Sequence, residues 1–402
     1  MRVALLTREY PPEVYGGAGV HVEYLARELS RSTEVTVHCF GAERAPIPGG
    51  PRVVAHAPWE RLAGPEPYAT ALQTFSIDLT MAAGAAGADL VHSHTWYANL
   101  GGYLAKLLHG IPHVATVHSL EPMRPWKREQ LGGGYALSSF AERTALESAD
   151  AVIAVSAAHL DEILTCYPAI DPARTSVVYN GIDVDEYRPD LDTDVLDRHG
   201  IDPSRPIVIF VGRITRQKGL AHLLDAAPAL DPEAQLVLCA GAPDTPEIAT
   251  EIAARMGAVR ALRGNVTWIE AMLPKTDVIQ LLTHATVFAC PSVYEPMGIV
   301  NLEAMACETA VVATAVGGIP EVVEDGVTGL LVPYEAVADG TGAPADPPGM
   351  AQDLAVRINE LLDDSTRAAA MGRAGRARAR ERFGWDIAAA KTMALYERLL
   401  ER

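Results

Sequence analysis

The chain has 402 residues, of which 49% are hydrophobic, and a formal net charge of −18, with 33 Lys and Arg against 51 Asp and Glu. This length suits two domains of about 200 residues each. The acidic balance disfavours nucleic acid and anionic membranes as the main partner, and no apolar run approaches the roughly 20 residues that cross a bilayer.

Cysteine usage and the first residues both bear on where the protein works. The cysteines are Cys39, Cys166, Cys239, Cys290 and Cys307. They are odd in number, scattered and without a Cys-x-x-Cys pair, which is typical of free thiols in a reducing compartment. The apolar start, residues 1–6, is too short for a signal-peptide core and has no cleavage site after it. We therefore expect a cytoplasmic protein whose first segment is a buried strand.

Short β-rich segments alternate with helical stretches along the whole chain. The first series of predicted strands is Val3–Thr7, Glu34–Phe40, Leu90–His94, His113–His118 and Ala151–Ser156. The second series is Ile207–Gly212, Gln235–Ala240, Val287–Pro291, Ala310–Thr314 and Gly329–Val332. Continuously apolar runs such as residues 207–211 are typical of parallel strands covered by helices on both faces. The alternation therefore predicts an α/β protein with two Rossmann-like domains.

The domain boundary is expected in a polar, acidic stretch between Arg188 and Pro206, which three prolines interrupt. We predict one Rossmann-like domain over residues 1–190 and a second over 203–380. Residues 381–402 are predicted to form a C-terminal helix that returns to the N-terminal domain. Because ligands bind at the carboxyl ends of parallel strands, we expect the active site in the cleft between the domains.

Two segments that directly follow predicted strands have sequences suited to phosphate. In the segment Glu9–Gly19, glycines precede a helix, so that backbone N–H groups and the positive helix end can face an anion. It lacks the Gly-x-Gly-x-x-Gly dinucleotide pattern, and a tight turn without a ligand is an equally good interpretation. In the segment Gly212–Gly219, Arg213 and Lys218 stand between glycines, where they can converge on one diphosphate. In so acidic a chain, a merely solvated basic loop is the weaker interpretation.

A third segment places two carboxylates, Glu295 and Glu303, eight residues apart, with Pro296 and Gly298 setting a helix start between them. Eight residues are slightly more than two helical turns, so the two side chains are expected to face one side. Such carboxylates can accept hydrogen bonds from vicinal hydroxyls, one pair on a sugar and one on a ribose. The spacing arises by chance on many helices, and its position after a strand makes it informative here.

The Gly-Arg-x-x-x-x-Lys-Gly loop and the two glutamates resemble those of the GT-B retaining glycosyltransferases that include the bacterial glycogen synthases. Within this family, residues 8–22 and 119–127 resemble the actinobacterial α-maltose-1-phosphate synthases, and the resemblance covers nearly the whole chain. It implies a retaining α-1,4-glucosyltransferase that moves glucose from ADP-glucose to glucose 1-phosphate and gives α-maltose 1-phosphate for α-glucan synthesis. It implies neither a cofactor nor a metal, and it leaves a homodimer open.

The resemblance implies that the N-terminal domain serves the acceptor and the C-terminal domain the nucleotide sugar. The implied nucleotide-sugar site comprises Gly17, Arg213, Lys218, Glu295, Gly298, Ile299 and Glu303. In it, Arg213 and Lys218 bind the donor diphosphate. Glu295 holds the transferred glucose, Glu303 binds the ribose, and backbone N–H groups at the helix start complete the site. The implied catalytic set is His118 together with Arg213, Lys218 and Glu295, and the main-chain oxygen of His118 is implied to face the reacting carbon.

Two departures from the glycogen synthases concern the acceptor. Those enzymes have a Lys-x-Gly-Gly-Leu loop and a His-x-His-Asp-Trp segment, where this chain has Val14–Ala18 without lysine and His92–Trp96 without aspartate. A phosphate-bearing acceptor needs local cations, and Arg124, Lys127 and Arg128 lie a few residues after His118. We therefore expect at least one of these three to hold the acceptor phosphate, in a shaped loop rather than a continuous helix.

Three histidines, His92, His94 and His118, also raise the question of a metal ion. We expect His92 and His94, which alternate on a strand, to point to opposite faces and therefore not to share an ion. No metal site is predicted on that ground.

Three alternatives to the main prediction remain open. The acceptor could be a growing α-1,4-glucan, as in a glycogen synthase, or the donor a UDP- or GDP-sugar. A membrane-bound relative acting on a lipid would need a basic or apolar docking surface, which the segment after Leu62 does not supply. A regulator that binds sugar nucleotides without catalysis is the remaining alternative, and a turnover assay separates it.

Overall fold

The computed structural model describes residues 1–45, 48–338 and 341–401, and of residues 129 and 130 the backbone alone. The chain forms two compact units, with unit 1 comprising Met1–Gly181 and Trp385–Arg402, and unit 2 comprising Ile182–Gly384. The change from unit 1 to unit 2 lies before the proline-containing stretch that follows Arg188. No described helix is both long and apolar enough to span a membrane.

The described residues of unit 1 form a parallel sheet of seven strands. These are β1 (Arg2–Leu6), β2 (Glu34–Phe40), β3 (Arg52–His56), β4 (Leu90–His94), β5 (His113–Val117), β6 (Ala151–Ala154) and β7 (Thr175–Val177). Their order across the sheet is β3-β2-β1-β4-β5-β6-β7, and every neighbouring pair is parallel. The strand order reverses between β1 and β4, which is the doubly wound arrangement of Rossmann-like domains.

Helices cover both faces of this sheet. They are α1 (Gly17–Leu29), α2 (Ala69–Gly84), α3 (Trp96–His109), α4 (Lys127–Leu131), α5 (Gly134–Ser148) and α6 (Ala157–Cys166). Successive residues of β1 point to opposite faces, so Val3 and Leu5 pack in one core cluster with α1 residues, while Ala4 and Leu6 pack in another with α2 residues. Burial on both faces explains why residues 3–6 of the first strand are all apolar.

Unit 2 repeats the design with a parallel sheet of six strands. These are β8 (Ile207–Arg213), β9 (Gln235–Gly241), β10 (Val266–Ile269), β11 (Val287–Cys290), β12 (Ala310–Thr314) and β13 (Gly329–Val332). The strand order is β10-β9-β8-β11-β12-β13, with the reversal between β8 and β11. The helices are α7 (Asp194–Arg198), α8 (Leu220–Ala226), α9 (Pro246–Leu262), α10 (Lys275–His284), α11 (Ile299–Ala306), α12 (Ile319–Val322), α13 (Pro347–Leu362) and α14 (Ser365–Arg382). The prediction of two Rossmann-like α/β domains is confirmed.

The last helix, α15 (Trp385–Leu400), belongs to the core of unit 1 although it follows unit 2 in sequence. The Trp385 ring stacks on Tyr24 with centroids 5.3 Å apart and an interplanar angle of 6°. The Tyr396 hydroxyl lies 2.6 Å from Nδ1 of His92, and Tyr396 is fully buried. An aromatic pair and a buried hydrogen bond thus fix this helix to the sheet.

All ten predicted strands are present, with ends that differ by at most two residues from those expected. Three further strands, β3, β7 and β10, were not predicted. Each lies at an edge of its sheet.

Candidate active site

In unit 2, the polar residues predicted to bind a nucleotide sugar follow β8 and β11, the two strands between which the strand order reverses. Ligands of doubly wound sheets bind at the carboxyl ends of such strands. Arg213 ends β8, and Lys218 lies in the loop between β8 and α8. Both are therefore placed where the fold offers a ligand site.

A carboxylate holds each of these two cations. Lys218 Nζ lies 2.6 Å from Glu295 Oε2, and Arg213 Nη1 lies 3.0 Å from Asp244 Oδ1. The side chains of Lys218 and Arg213 are 25% and 28% exposed, whereas that of Glu295 is 8% exposed. Glu295 is thus a nearly buried carboxylate whose charge is balanced by a cation that solvent still reaches.

The charge state of Lys218 follows from two opposing effects. Burial disfavours the ammonium, but the Glu295 carboxylate beside it outweighs burial and raises the pKa of Lys218 above its ordinary value. Lys218 is therefore protonated at neutral pH. An anionic ligand that binds Lys218 has to compete with Glu295 for it.

Glycines allow the two loops of this site to approach each other. Gly219 has φ +63°, and a Cβ at this position would collide with the carbonyl oxygen of Pro291. The Val293 N–H donates to the carbonyl oxygen of Gln217 at 2.9 Å. Gly298, with φ +91°, stands directly before the first residue of α11. The predicted loops after β8 and β11 therefore contact each other in unit 2.

Glu303 lies on α11, and its Oε1 accepts a hydrogen bond of 3.0 Å from the Tyr187 hydroxyl. Burial raises the pKa of Glu303 above the ordinary range. Glu295 lies in the loop before the helix, and α11 begins at Ile299, so the structure has a helix start between the two glutamates, as the sequence predicted. Tyr187 was not predicted, since a lone tyrosine far from any strand end gives no signal in the sequence.

In unit 1, His21, His94 and His118 cluster at the carboxyl end of the sheet, from α1, the end of β4 and the residue after β5. His94 Nδ1 lies 3.1 Å from His118 Nε2, and the His21 and His118 ring centroids are 4.7 Å apart. His21 Nδ1 lies 2.7 Å from Asn180 Oδ1. Burial lowers the pKa of His21 to about 4 and that of His94 and His118 well below 6.5, so the three rings are neutral at pH 7.

The expectation that His92 and His94 point to opposite faces is wrong. Their ring centroids are 4.2 Å apart, because residues two apart on a strand lie on the same face. Both nitrogens of His92 nevertheless have other partners, with Nδ1 2.6 Å from the Tyr396 hydroxyl and Nε2 2.7 Å from Thr116 Oγ1. His92 therefore serves the packing of α15 against the sheet.

The glycine-rich turn after β1 already binds a carboxylate of the protein. The backbone N–H groups of Tyr15 and Gly16 donate to Glu9 Oε2 at 2.8 and 2.7 Å. Helix α1 begins at the next residue, Gly17. Two of the N–H groups expected to face phosphate are thus occupied by Glu9, a partner that the sequence did not indicate.

The basic segment after His118 is held by buried acids. Arg124 Nη2 lies 2.5 Å from Oε1 of the fully buried Glu121, whose backbone N–H donates to Glu142 Oε1 at 2.9 Å. Burial, followed by the negative charge of Glu121, raises the pKa of Glu142 to about 8. The Arg128 guanidinium lies 5.2 Å from the Tyr135 ring centroid. Lys127 begins the short helix α4, so this part of the segment is helical where a loop was expected.

Comparison with known proteins adds to this geometry. The family model described as glycosyltransferase family 4 matches residues 15–186, and the model of glycosyl transferases group 1 matches residues 193–378. The α-maltose-1-phosphate synthase of Mycolicibacterium smegmatis is 54% identical over 402 residues, covering 99% of this chain and 100% of the relative. The chain belongs to the α-maltose-1-phosphate synthase family of glycosyltransferases. The enzyme of that name from Mycobacterium tuberculosis is 51% identical over the same 402 residues, with the same coverage.

Solved structures agree with this membership at the level of the fold. Sucrose-phosphate synthase from Thermosynechococcus elongatus superposes with a TM-score of 0.81 at 25% identity, covering 100% of this chain and 99% of that one. The catalytic domain of starch synthase IV from Arabidopsis thaliana, solved with ADP and acarbose, gives a TM-score of 0.73 at 16% identity, with coverage of 100% and 99%. The GT-B fold predicted from the resemblance is confirmed.

Proposed function

We propose that the protein is a retaining α-1,4-glucosyltransferase that transfers glucose from ADP-glucose to glucose 1-phosphate and forms α-maltose 1-phosphate. The observation that carries the proposal is the Lys218–Glu295 contact of 2.6 Å at the strand ends of unit 2, beside Arg213. It joins two sequence motifs, one suited to a diphosphate and one suited to sugar hydroxyls, in one site. Family membership over the whole chain supports the same function.

The donor is bound by exchange of partners in this site. When the ADP diphosphate reaches Arg213 and Lys218, Lys218 turns from Glu295 to a phosphate oxygen, which is a stronger charge-assisted contact once water is excluded. The released Glu295 carboxylate then accepts hydrogen bonds from the glucose hydroxyls. The raised pKa of Lys218 keeps it protonated, so it stabilises the charge on the departing phosphate.

The nucleoside end of the donor is assigned to α11. Glu303 already accepts one hydrogen bond from Tyr187, and a carboxylate has further lone pairs for the two ribose hydroxyls. The backbone N–H groups of Gly298 and Ile299 stand at the start of α11, where the helix end favours a negative phosphate.

The chemical step needs no protein nucleophile. The bond from the anomeric carbon to the diphosphate breaks, the acceptor 4-hydroxyl attacks the same face, and its proton passes to the departing phosphate. His118 contributes its main-chain oxygen beside the developing oxocarbenium carbon. The neutral state of His118, His94 and His21 matters here, because an imidazolium would repel that cation.

The acceptor phosphate is assigned to the segment that contains Arg124, Lys127 and Arg128. In a chain of net charge −18, an anionic acceptor needs such a local concentration of cations. Glu142 accepts a hydrogen bond from the backbone N–H of Glu121, and the Glu121 carboxylate binds Arg124, so these two buried acids hold the start of the segment in place. Glucose 1-phosphate is therefore expected to be used better than a neutral glucan end.

Product identification tests the proposed function. The protein is incubated with radiolabelled ADP-glucose and either glucose 1-phosphate or glycogen, and the products are separated by size and charge. We expect a labelled disaccharide that still carries, on its anomeric carbon, the phosphate of the glucose 1-phosphate acceptor. A preference for glycogen would replace the proposal by a glycogen synthase, and better use of UDP- or GDP-glucose would change the donor. No turnover with any donor would indicate a regulator.

A set of variants tests the acceptor site separately. Replacing Arg124, Lys127 and Arg128 by alanine should raise the KM for glucose 1-phosphate at least tenfold and leave the KM for ADP-glucose nearly unchanged. Replacement of Arg373, Arg380 and Arg382, three exposed arginines of α14, removes the same charge elsewhere and serves as the control. Equal KM values for glucose 1-phosphate in the two triple variants would reject the assignment.

A further inference from the structure

The histidine cluster of unit 1 has the composition of a transition-metal site. One ring nitrogen from each of His21, His94 and His118 lies within 4.8 Å of the corresponding nitrogens of the other two. Zinc bound tetrahedrally at about 2.1 Å from each nitrogen requires nitrogens about 3.4 Å apart. The pair His94 Nδ1 and His118 Nε2, at 3.1 Å, already meets this requirement. Movement of the third ring by at most about 1.4 Å completes three corners of a tetrahedron.

The hydrogen bonds around the cluster leave ligand nitrogens available. The side-chain oxygen Oδ1 of Asn180 can only accept, so His21 carries its proton on Nδ1 and has its lone pair on Nε2. Most metal-binding histidines donate the N–H of the ring nitrogen that does not bind the metal to an oxygen acceptor, and this hydrogen bond orients the ring. Among the described residues, the buried Nε2 atom of His21 has no hydrogen-bond partner, and the second ligand nitrogen, His94 Nδ1, contacts His118 Nε2. Buried polar atoms in native proteins seldom lack a partner, so this arrangement points to a ligand.

His92 differs from the histidines of the cluster in its hydrogen bonds. His92 adjoins His94, but both of its nitrogens are satisfied by Tyr396 and Thr116. Burial also keeps the rings of the cluster neutral, so a metal ion does not have to displace protons at pH 7. Imidazole nitrogen is a preferred ligand of zinc, copper and nickel, and three protein ligands leave a fourth position for water.

We propose that His21, His94 and His118 together bind one divalent transition-metal ion, with Zn²⁺ as the probe, and that the bound ion inhibits glucosyl transfer. The inhibition rests on the proposed function, in which the main-chain oxygen of His118 faces the reacting carbon. A dication there adds positive charge beside the oxocarbenium ion and restrains the His118 ring. Binding of the metal by itself does not depend on that function.

Metal binding is measured first, without reference to activity. The purified protein, stripped with a chelator, is titrated with Zn²⁺ against a chromophoric chelator and with Co²⁺ by visible spectroscopy. We expect one ion per chain and the absorption of tetrahedral Co²⁺. His21→Phe keeps a ring in the core and should weaken binding at least tenfold, and His21→Asn should do the same if the first variant does not fold. His56→Phe is the matched control, because His56 pairs with His38 at 3.0 Å elsewhere in unit 1.

The outcomes separate the two parts of the proposal. Absence of Zn²⁺ binding, or equal affinity in wild type and a folded His21 variant, would overturn the metal site. Binding at the cluster without loss of glucosyl transfer would overturn the inhibition, whereas transfer abolished by Zn²⁺ but not by Mg²⁺ supports it. A protein that binds Zn²⁺ here and transfers no glucose would retain the metal site and contradict the proposed function.

Discussion

Removal of Lys218 should destabilise unit 2 as well as stop transfer, because it leaves the nearly buried carboxylate of Glu295 without its counterion. Loss of one partner of a buried ion pair costs about 3–5 kcal/mol, and the 25% exposure of Lys218 places this pair at about 3 kcal/mol. The next hydroxyl, Ser292 Oγ, is 3.5 Å from Glu295 Oε2 and compensates little. For a unit of about 200 residues, this loss lowers Tm by about 6–12 °C.

A double-mutant cycle isolates the ion pair. Lys218→Met should lower the unfolding free energy of unit 2 by about 3 kcal/mol. Glu295→Gln should lower it by about 1 kcal/mol, because Lys218 can still reach solvent. The double variant should be more stable than Lys218→Met alone, since no unpaired charge remains. Turnover should fall by about 100- to 1000-fold in Lys218→Met and stay low in the double variant, because charge stabilisation of the leaving phosphate is lost in both.

Urea unfolding followed by circular dichroism, together with the product assay, measures both effects. Arg255→Ala, which breaks a partly exposed ion pair with Asp225, is the control and should change stability by less than about 1 kcal/mol. If the loss in the double variant equals the sum of the single losses within about 0.5 kcal/mol, the pair is not coupled and the reasoning is refuted. If Lys218→Met keeps near-normal turnover, the diphosphate site is wrongly placed.

Three further predictions concern single positions. Gly219→Ala should lower unit 2 stability and turnover together, because its Cβ meets the Pro291 carbonyl at positive φ; unchanged thermal unfolding would contradict this. Glu303→Ala should weaken ADP binding in calorimetry, whereas Glu295→Gln should impair transfer more than ADP binding; equal losses in ADP affinity would reject the division of roles. Burial depresses the folded pKa of His113 to about 3, below its unfolded value, so the unfolded state binds the extra proton. Each buried histidine of this kind in unit 1 should lower the unfolding free energy by about 1.4 kcal/mol for every pH unit below pH 6.5. Buried carboxyl groups with raised pKa change stability in the opposite direction and offset part of this loss. Calorimetry should show unit 1 losing stability between pH 7.5 and 5.5 more than unit 2, and equal losses would speak against this.

The central strands could be predicted from the sequence, whereas three of the four edge strands of the two described sheets could not. Strands such as β8 are buried on both faces, so their residues form continuous apolar runs. The three missed strands, β3, β7 and β10, lie at sheet edges and are largely half-exposed, with residues such as Arg52 and Ser176 inside them. Half-exposed edge strands carry a weaker apolar pattern, whereas the edge strand β13 is largely buried and was predicted.

The positions of the candidate residues at the strand ends could be predicted, but the residues that they contact could not. Arg213, Lys218 and Glu295 follow strands in the sequence, and parallel topology brings strand ends together. Asp244, Tyr187 and Glu9 contribute through contacts that no local pattern encodes. The prediction that His92 and His94 point to opposite faces was wrong because it misapplied the strand period. Side chains alternate between faces from one residue to the next, so residues two apart lie on the same face.

The place of α15 in unit 1 has a consequence for the order in which the protein matures on the ribosome. Unit 2 is one uninterrupted segment, Ile182–Gly384, whereas unit 1 needs Trp385 and Tyr396 to cover Tyr24 and His92. At about 5–20 residues per second, synthesis of the intervening 200 or so residues takes about 10–40 s. During that interval the nascent N-terminal sheet exposes apolar surface, and unit 2 can complete its own core first. The first domain to be translated is therefore the last to be finished.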